Sequence, residues 1–204
     1  MGTIVVNTNM TLDGVVENPT GEDGPGGGWF SAMSAADHAA WAKFEFEEAL
    51  DTDALLLGRE SDAWFARRWN ERTGEWAERL NGLPKYVVSS TLAETAWANG
   101  TVLRGDVAEN VARLKDEVDG KIVIFGSRTL VQTLLEYELV DELRLFVFGA
   151  MVGFGGRMME AGAPESLRLT RAERLGDGLL FVAYDIVHDS AAPGPQTASP
   201  STLR

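Results

Sequence analysis

A single α/β domain is what this 204-residue chain predicts: a mixed sheet, mainly parallel, with a C-terminal antiparallel hairpin and helices on both faces. Three observations carry that expectation. Short β-branched or leucine-rich runs recur at 3–7, 53–58, 85–89, 121–125 and 143–148. Segments with apolar residues at helical spacing lie between several of them, the alternation that builds parallel strands. Two further strand-like runs, 166–175 and 179–187, flank Gly176-Asp177-Gly178, a strong hairpin signal. No linker or repeat divides residues 1–188, which read as one domain, while 189–204 lacks a core-forming pattern and is expected to be a disordered tail.

Taken in order, 3–7 (Thr-Ile-Val-Val-Asn) is a short buried strand. A loop from Thr8 to about Phe30 follows, punctuated by Asp13-Gly14, Pro19, Gly21 and the glycine-rich run 24–28. Loops of that length in a small domain are usually functional or disordered. Ser34 is suited to cap a helix reaching Leu50, with Trp41, Phe44 and Phe46 on its apolar side. The run 53–58 is a strand stopped by glycine, and 59–67 reads as the next helix. A third strand, 85–89, follows Pro84. Asp106 and Glu109 form a capping box for a helix running through Val111, Leu114 and Val118 to a stop at Gly120. Strand 121–125 leads through Gly126-Ser127 into a helix carrying Leu130, Leu134 and Leu135, and strand 143–148 precedes the hairpin.

Composition removes several classes of function. With 45% hydrophobic and 24% charged residues the chain matches an ordinary globular protein, not a fibrous or largely disordered one. No stretch approaches the roughly 20 apolar residues that span a bilayer, and the start lacks the basic and apolar regions of a secretory signal. There are no cysteines, which excludes disulfides, zinc-thiolate sites and iron–sulfur clusters and fits a cytoplasmic location. Eighteen basic against 31 acidic residues give a net charge of −13, so neither nucleic acid nor an anionic membrane is expected as a partner. The two histidines, His38 and His188, are too few and too separated for a metal centre, and no metal is expected.

In such sheets ligands settle in the crevice outside the carboxyl ends of the parallel strands. Three predicted strand ends suit an anion: Gly58-Arg59-Glu60-Ser61, Ser89-Ser90-Thr91 and Gly126-Ser127-Arg128. Glycine lets the backbone approach, a helix start offers free amides, and arginine adds a forked cation. Together they point to an extended phosphate-bearing ligand of the dinucleotide class. The glycine fingerprint of ordinary Rossmann domains, the phosphate loop of nucleotide hydrolases and the serine-hydrolase elbow are all absent. Plainer readings stand beside these. Ser89-Ser90 also suits a simple turn, Asp13-Gly14 alone is a turn signal, and Asp37 and His38 suit an exposed helix face. Trp29, Phe30, Trp64 and Trp69 fit either a planar-substrate pocket or plain core, and Arg67-Arg68 a solvated face.

Thr11-Leu12-Asp13-Gly14, Leu55-Leu56-Leu57-Gly58-Arg59, Lys85 to Leu92, Ile124-Phe125-Gly126-Ser127, Leu139 to Leu145 and Gly153-x-Gly155 occur in that order. This ordered set resembles the dihydrofolate reductase-like superfamily, most closely the reductase domain of bacterial riboflavin biosynthesis and its stand-alone relatives. The resemblance spans about residues 3–187. It implies a dihydrofolate reductase-like sheet, bound NADPH, hydride transfer to a small heterocyclic or carbonyl substrate of the 5-amino-6-(5-phosphoribosylamino)uracil type, and a homodimer. By position it implies cofactor contacts at Gly58, Arg59, Ser61, Ser89, Ser90, Gly126, Ser127 and Arg128, and Thr91 and Leu130 next to these turns are further candidates. Candidate substrate contacts are Thr11, Asp13, Asp37 and Trp64, and the proton for the reduction comes from water or from Asp13. The chain departs from the family at Ser61-Asp62, Gly149-Ala150 and Met158-Met159. A carboxylate at Asp62 would oppose a neighbouring phosphate unless it points away. The alternatives are a non-catalytic dimeric module that binds a nucleotide or pterin, and a true dihydrofolate reductase.

Overall fold

Burial follows the strand and helix periods, and the chain assembles around one eight-stranded sheet in a computed structural model that describes residues 1–21, 28–158 and 166–188. The strands are β1 (Thr3–Thr11), β2 (Ala54–Gly58), β3 (Lys85–Val88), β4 (Gly100–Leu103), β5 (Lys121–Phe125), β6 (Glu142–Phe148), β7 (Leu167–Arg174) and β8 (Leu179–Ile186). The helices are α1 (Ala35–Leu50), α2 (Arg59–Trp69), α3 (Glu75–Gly82), α4 (Val107–Glu117) and α5 (Arg128–Glu136). Strand order is β4-β3-β2-β5-β1-β6-β8-β7. The first six of these run parallel, and β6–β8 and β8–β7 pair antiparallel.

Alternation along β1 splits the core in two. Ile4 and Val6 pack with Val111 and Leu114 of α4 and Val131 and Leu134 of α5. Val5, on the opposite face, packs with Ala49 of α1, Ala66 of α2 and Leu80 of α3. Helices thus cover both faces, as the pattern predicts.

Two sequence expectations need correction, and two elements were not expected at all. β1 runs on to Thr11 rather than ending at residue 7, because β6 supplies a continuous partner from Val5 to Thr11. α3 and β4 give no clear sequence signal. α3 is eight polar-rich residues entered through Gly74 at φ 102°, and β4 is a four-residue edge strand with no buried position. Tertiary contacts stabilise both: the Lys85 ammonium donates to the carbonyls of Asn81 and Leu83, closing the end of α3, and β4 pairs in parallel with β3 from Gly100 to Leu103. The helix from Asp106 stops at Glu117 instead of Gly120, whose φ of 116° serves the turn into β5. The expected tail 189–204 and residues 24–27 of the glycine-rich run lie outside the described residues.

Among the described residues, no helix is long and apolar enough to cross a membrane, and no group of acidic or histidine side chains could hold a metal ion.

Candidate active site

Strand lengths create the crevice. β5 ends at Phe125 opposite Asn7, whereas β1 continues four residues further, to Thr11, alongside β6. The sheet edge therefore steps down from β1 to β5 and β2, and the glycine turns after those two shorter strands occupy the step.

Gly126 (φ 66°) and Ser127 (φ 56°, ψ 49°) both take left-handed backbone, which swings the chain from β5 straight into α5. That conformation presents the Ser127 hydroxyl to the neighbouring turn. Its Oγ accepts the Gly58 N–H at 3.0 Å and donates to Ser61 Oγ at 2.7 Å, tying the two turns together. α1 and α4 are capped by side chains, Ser34 and Asp106, each accepting from the third helical amide. α2 and α5, the two helices that start directly on strand ends, have no side-chain cap. Their first-turn amides are the groups a helix leaves for an anion. Arg59 stands exposed at the start of α2, paired with Glu60 at 2.7 Å. Arg128 lies against Gly156, where a Cβ would come within 2.9 Å of its guanidinium carbon.

Beside the α5 turn is a cavity of about 170 Å³ lined by Thr8, Glu17, Ser127 and Arg128 and by apolar Val16, Val131 and Met158. Its outer wall is two loops held together. The Asp13 carboxylate accepts from Thr11 Oγ1 (2.6 Å), Gly153 N (2.8 Å) and Val152 N (3.4 Å). Arg157 donates to the Asp13 carbonyl, and Glu17 accepts from Gly156 N. The glycine-rich segment 153–156 is thereby a brace for the loop after β1.

This geometry revises several assignments. The Thr11 hydroxyl and the Gly153 amide hold the Asp13 carboxyl below its ordinary range, so it is an ionised clamp rather than a proton donor at neutral pH. Thr11 is fully buried, and its hydroxyl is spent on Asp13 and the Val15 amide, which removes it as a substrate contact. Asp37 is neither exposed nor open to substrate: its two oxygens accept from Asp177 N and Gly178 N, pinning the β7–β8 turn. Leu130 faces the core, so its side chain reaches no cofactor. Trp64 has the Arg68 guanidinium 3.5 Å over its ring, which covers one face against a planar substrate. Ser89 uses its oxygen on the amides of Thr91 and Leu92, leaving Ser90 and Thr91 as the exposed hydroxyls of that turn. Asp62 does point away from the crevice, accepting from Ala96 N and Trp97 N.

One polar cluster has no counterpart in the sequence reading. Under α1, Glu45 is buried with Asn7 Nδ2 at 3.4 Å, and burial pushes its carboxyl up to about 8, the negative charge of Glu48 adding to the effect. Arg144 of β6 binds Glu48 and Glu142 beside it. The only sequence signal was an asparagine within the apolar run of β1.

Fold and site together define an α/β protein of the dihydrofolate reductase-like class, with a strand-end crevice built from glycine turns and open helix starts. The chain belongs to the family of the RibD C-terminal domain, whose family model matches residues 2–181. It is 23% identical over 192 residues to the uncharacterized protein YyaP of Bacillus subtilis, covering 89% of this chain and 93% of that one. Among solved structures it is similar to a putative riboflavin biosynthesis protein from a Shewanella species, with TM-score 0.65, 17% identity, and coverage of 91% and 99%. It is also similar to a pyrimidine reductase-like protein from Corynebacterium diphtheriae, with TM-score 0.62, 14% identity and 92% of each chain covered.

Proposed function

We propose that this protein is an NADPH-dependent reductase that transfers a hydride to a small heterocyclic or carbonyl acceptor. One observation carries the reading: two uncapped helix starts, α2 and α5, are bound to each other at the sheet step through the Ser127 hydroxyl. The residues present fit a dinucleotide. Gly126 holds φ 66°, a left-handed backbone that favours glycine, and the tight turn it makes leaves the first-turn amides of α5 open to a pyrophosphate. Arg59, Ser90 and Thr91 would receive an adenosine 2′-phosphate at the outer end of the crevice. When bound, the cofactor supplies the hydride, and the protein supplies binding and orientation. Membership of the RibD C-terminal domain family and likeness to a pyrimidine reductase-like protein support a reduced pyrimidine or related heterocycle as product. Half-buried Leu145, Val147 and Val182 with exposed Leu169 and Leu180 support a homodimer through the open face of β6, β8 and β7.

Thermal-shift titration with NADPH, NADH, NADP and FMN tests the reading, because a ligand that binds only the native state raises its stability by mass action. Selective stabilisation by NADPH is expected. Arg59→Ala should weaken NADPH about tenfold and leave NADH nearly unchanged, since the 2′-phosphate is the difference between them. Equal losses for both cofactors, or stabilisation by FMN alone, would sink the proposal.

A further inference from the structure

We propose that Glu17 biases the cavity beside α5 towards the oxidised, positively charged form of the hydride carrier, so that the site favours departure of the hydride. This rests on the reductase reading above and adds to it a residue that distinguishes the two redox states of the bound dinucleotide.

Position is the first support. The cavity opens off the start of α5, where Ser127 and Arg128 line it, and its other polar side chains are Thr8 of β1 and Glu17. On the reading above, a pyrophosphate at this helix start has its adenosine half towards Arg59, Ser90 and Thr91, at the ends of β2 and β3. β5, which leads into α5, stands between β2 and β1 in the sheet. The other half of the dinucleotide therefore falls on the β1 side, in the cavity. Val16, Val131 and Met158 give it apolar walls suited to a flat ring.

Fixation is the second. Glu17 is exposed, yet it is held at both ends. Its Oε2 accepts from Gly156 N at 2.7 Å, and its backbone carbonyl accepts from Nε1 of the buried Trp29 at 3.0 Å. The residues before it are tied to the same segment: Val16 N donates to Gly156 O, and Val15 forms a β-bridge with Arg157. The carboxylate is thus kept at the cavity wall instead of swinging into solvent.

The charge count is the third. Among the described residues, two charged side chains line the cavity, Glu17 and Arg128. Arg128 stands at the helix start, where the pyrophosphate's negative charge would meet it. Arg157 is turned to the Asp13 carbonyl, and the Asp13 carboxylate is occupied by Thr11 Oγ1 and the amides of Val152 and Gly153. Glu17 is the charge left to face a redox ring.

The chemistry balances. When the reduced ring gives up a hydride, the electron pair of its C–H bond leaves with it, and the ring passes from neutral to one positive charge. The heterocyclic or carbonyl acceptor takes the hydride and then a proton from water, and is reduced by two electrons. The adenosine half and the pyrophosphate keep their charge throughout. A fixed carboxylate beside the ring therefore attracts the oxidised form and leaves the reduced form nearly untouched.

Isothermal titration calorimetry of the full chain with NADP, NADPH and adenosine 2′,5′-bisphosphate tests this. Glu17→Gln keeps an oxygen for the Gly156 amide and removes the charge. It should weaken NADP about fivefold, as one charge several ångströms away in a partly solvated cleft would, and leave NADPH and adenosine 2′,5′-bisphosphate within about twofold of wild type. The difference between the two proteins should narrow as ionic strength rises to about 1 M. A carboxylate that only braced the loop would move both redox forms alike. Equal losses for NADP and NADPH, or no loss for either, overturns the proposal. The wild type separates the two readings: failure to bind NADPH and adenosine 2′,5′-bisphosphate sinks the reductase assignment. Intact binding of both, with the same NADP-to-NADPH affinity ratio in Glu17→Gln as in wild type, sinks this inference alone.

Discussion

Replacing Glu45 by glutamine should change how the stability of this protein depends on pH. In the folded chain burial holds the Glu45 carboxyl protonated up to about 8, against 4.5 for an ordinary glutamate. Below 4.5 both folded and unfolded chains carry the proton, and the residue contributes no pH dependence. Between 4.5 and about 8 the unfolded chain releases the proton while the folded chain keeps it, so stability falls as pH rises. Above about 8 both forms are ionised and the loss is complete. At about 1.4 kcal/mol per pH unit, the full window is worth on the order of 5 kcal/mol. Glutamine keeps the shape and the hydrogen bond to Asn7 but has nothing to ionise. The stability of Glu45→Gln minus that of wild type should therefore grow by on the order of 3 kcal/mol between about pH 5 and about pH 7. Taking the difference cancels the carboxylates remote from Glu45. Urea unfolding followed by tryptophan fluorescence at each pH measures it, with equal slopes against urea confirming comparable unfolded states. A difference that stays flat across the window would refute the reasoning, because it would mean that Glu45 is solvated or paired as a carboxylate.

Other outcomes follow from the same geometry. Asp37→Ala strips two amides of their acceptor and should cost about 1–3 kcal/mol, speeding amide exchange at Asp177 and Gly178 while NADPH affinity holds. Asp62→Ala should cost a similar amount, about 1–3 kcal/mol, and expose the segment around Ala96 and Trp97 to proteolysis, since both amides depend on that carboxylate. Ser127→Ala keeps a strained left-handed residue yet loses the hydroxyl that joins the Gly58 and Ser61 turns. It should weaken NADPH about tenfold in the same titration, and unchanged affinity would show that the two turns need no coupling.

Much of the architecture was legible in residue order. Strand cores such as 55–57 and 122–124 are apolar and β-branched or leucine-rich over their whole length, and the caps Ser34 and Asp106 act within three residues of themselves. The turns at Gly58 and Gly126 were legible for the same reason, because glycine between a strand and a helix has few other uses. Residues whose partner lies far along the chain were not. Asp37 looks like an exposed helix acid until the hairpin 140 residues later arrives over it. Asp13 looks like a proton donor until the 152–153 amides close on it, and Glu45 is one carboxylate among several in α1 until β1 and its asparagine bury it. The sequence by itself determined which segments become strands and helices and where they turn, since periodicity and backbone preference act over a few neighbouring residues. Only the tertiary structure decided which carboxylates clamp backbone amides and which one is buried and held neutral, because that depends on desolvation and on partners brought from elsewhere in the fold.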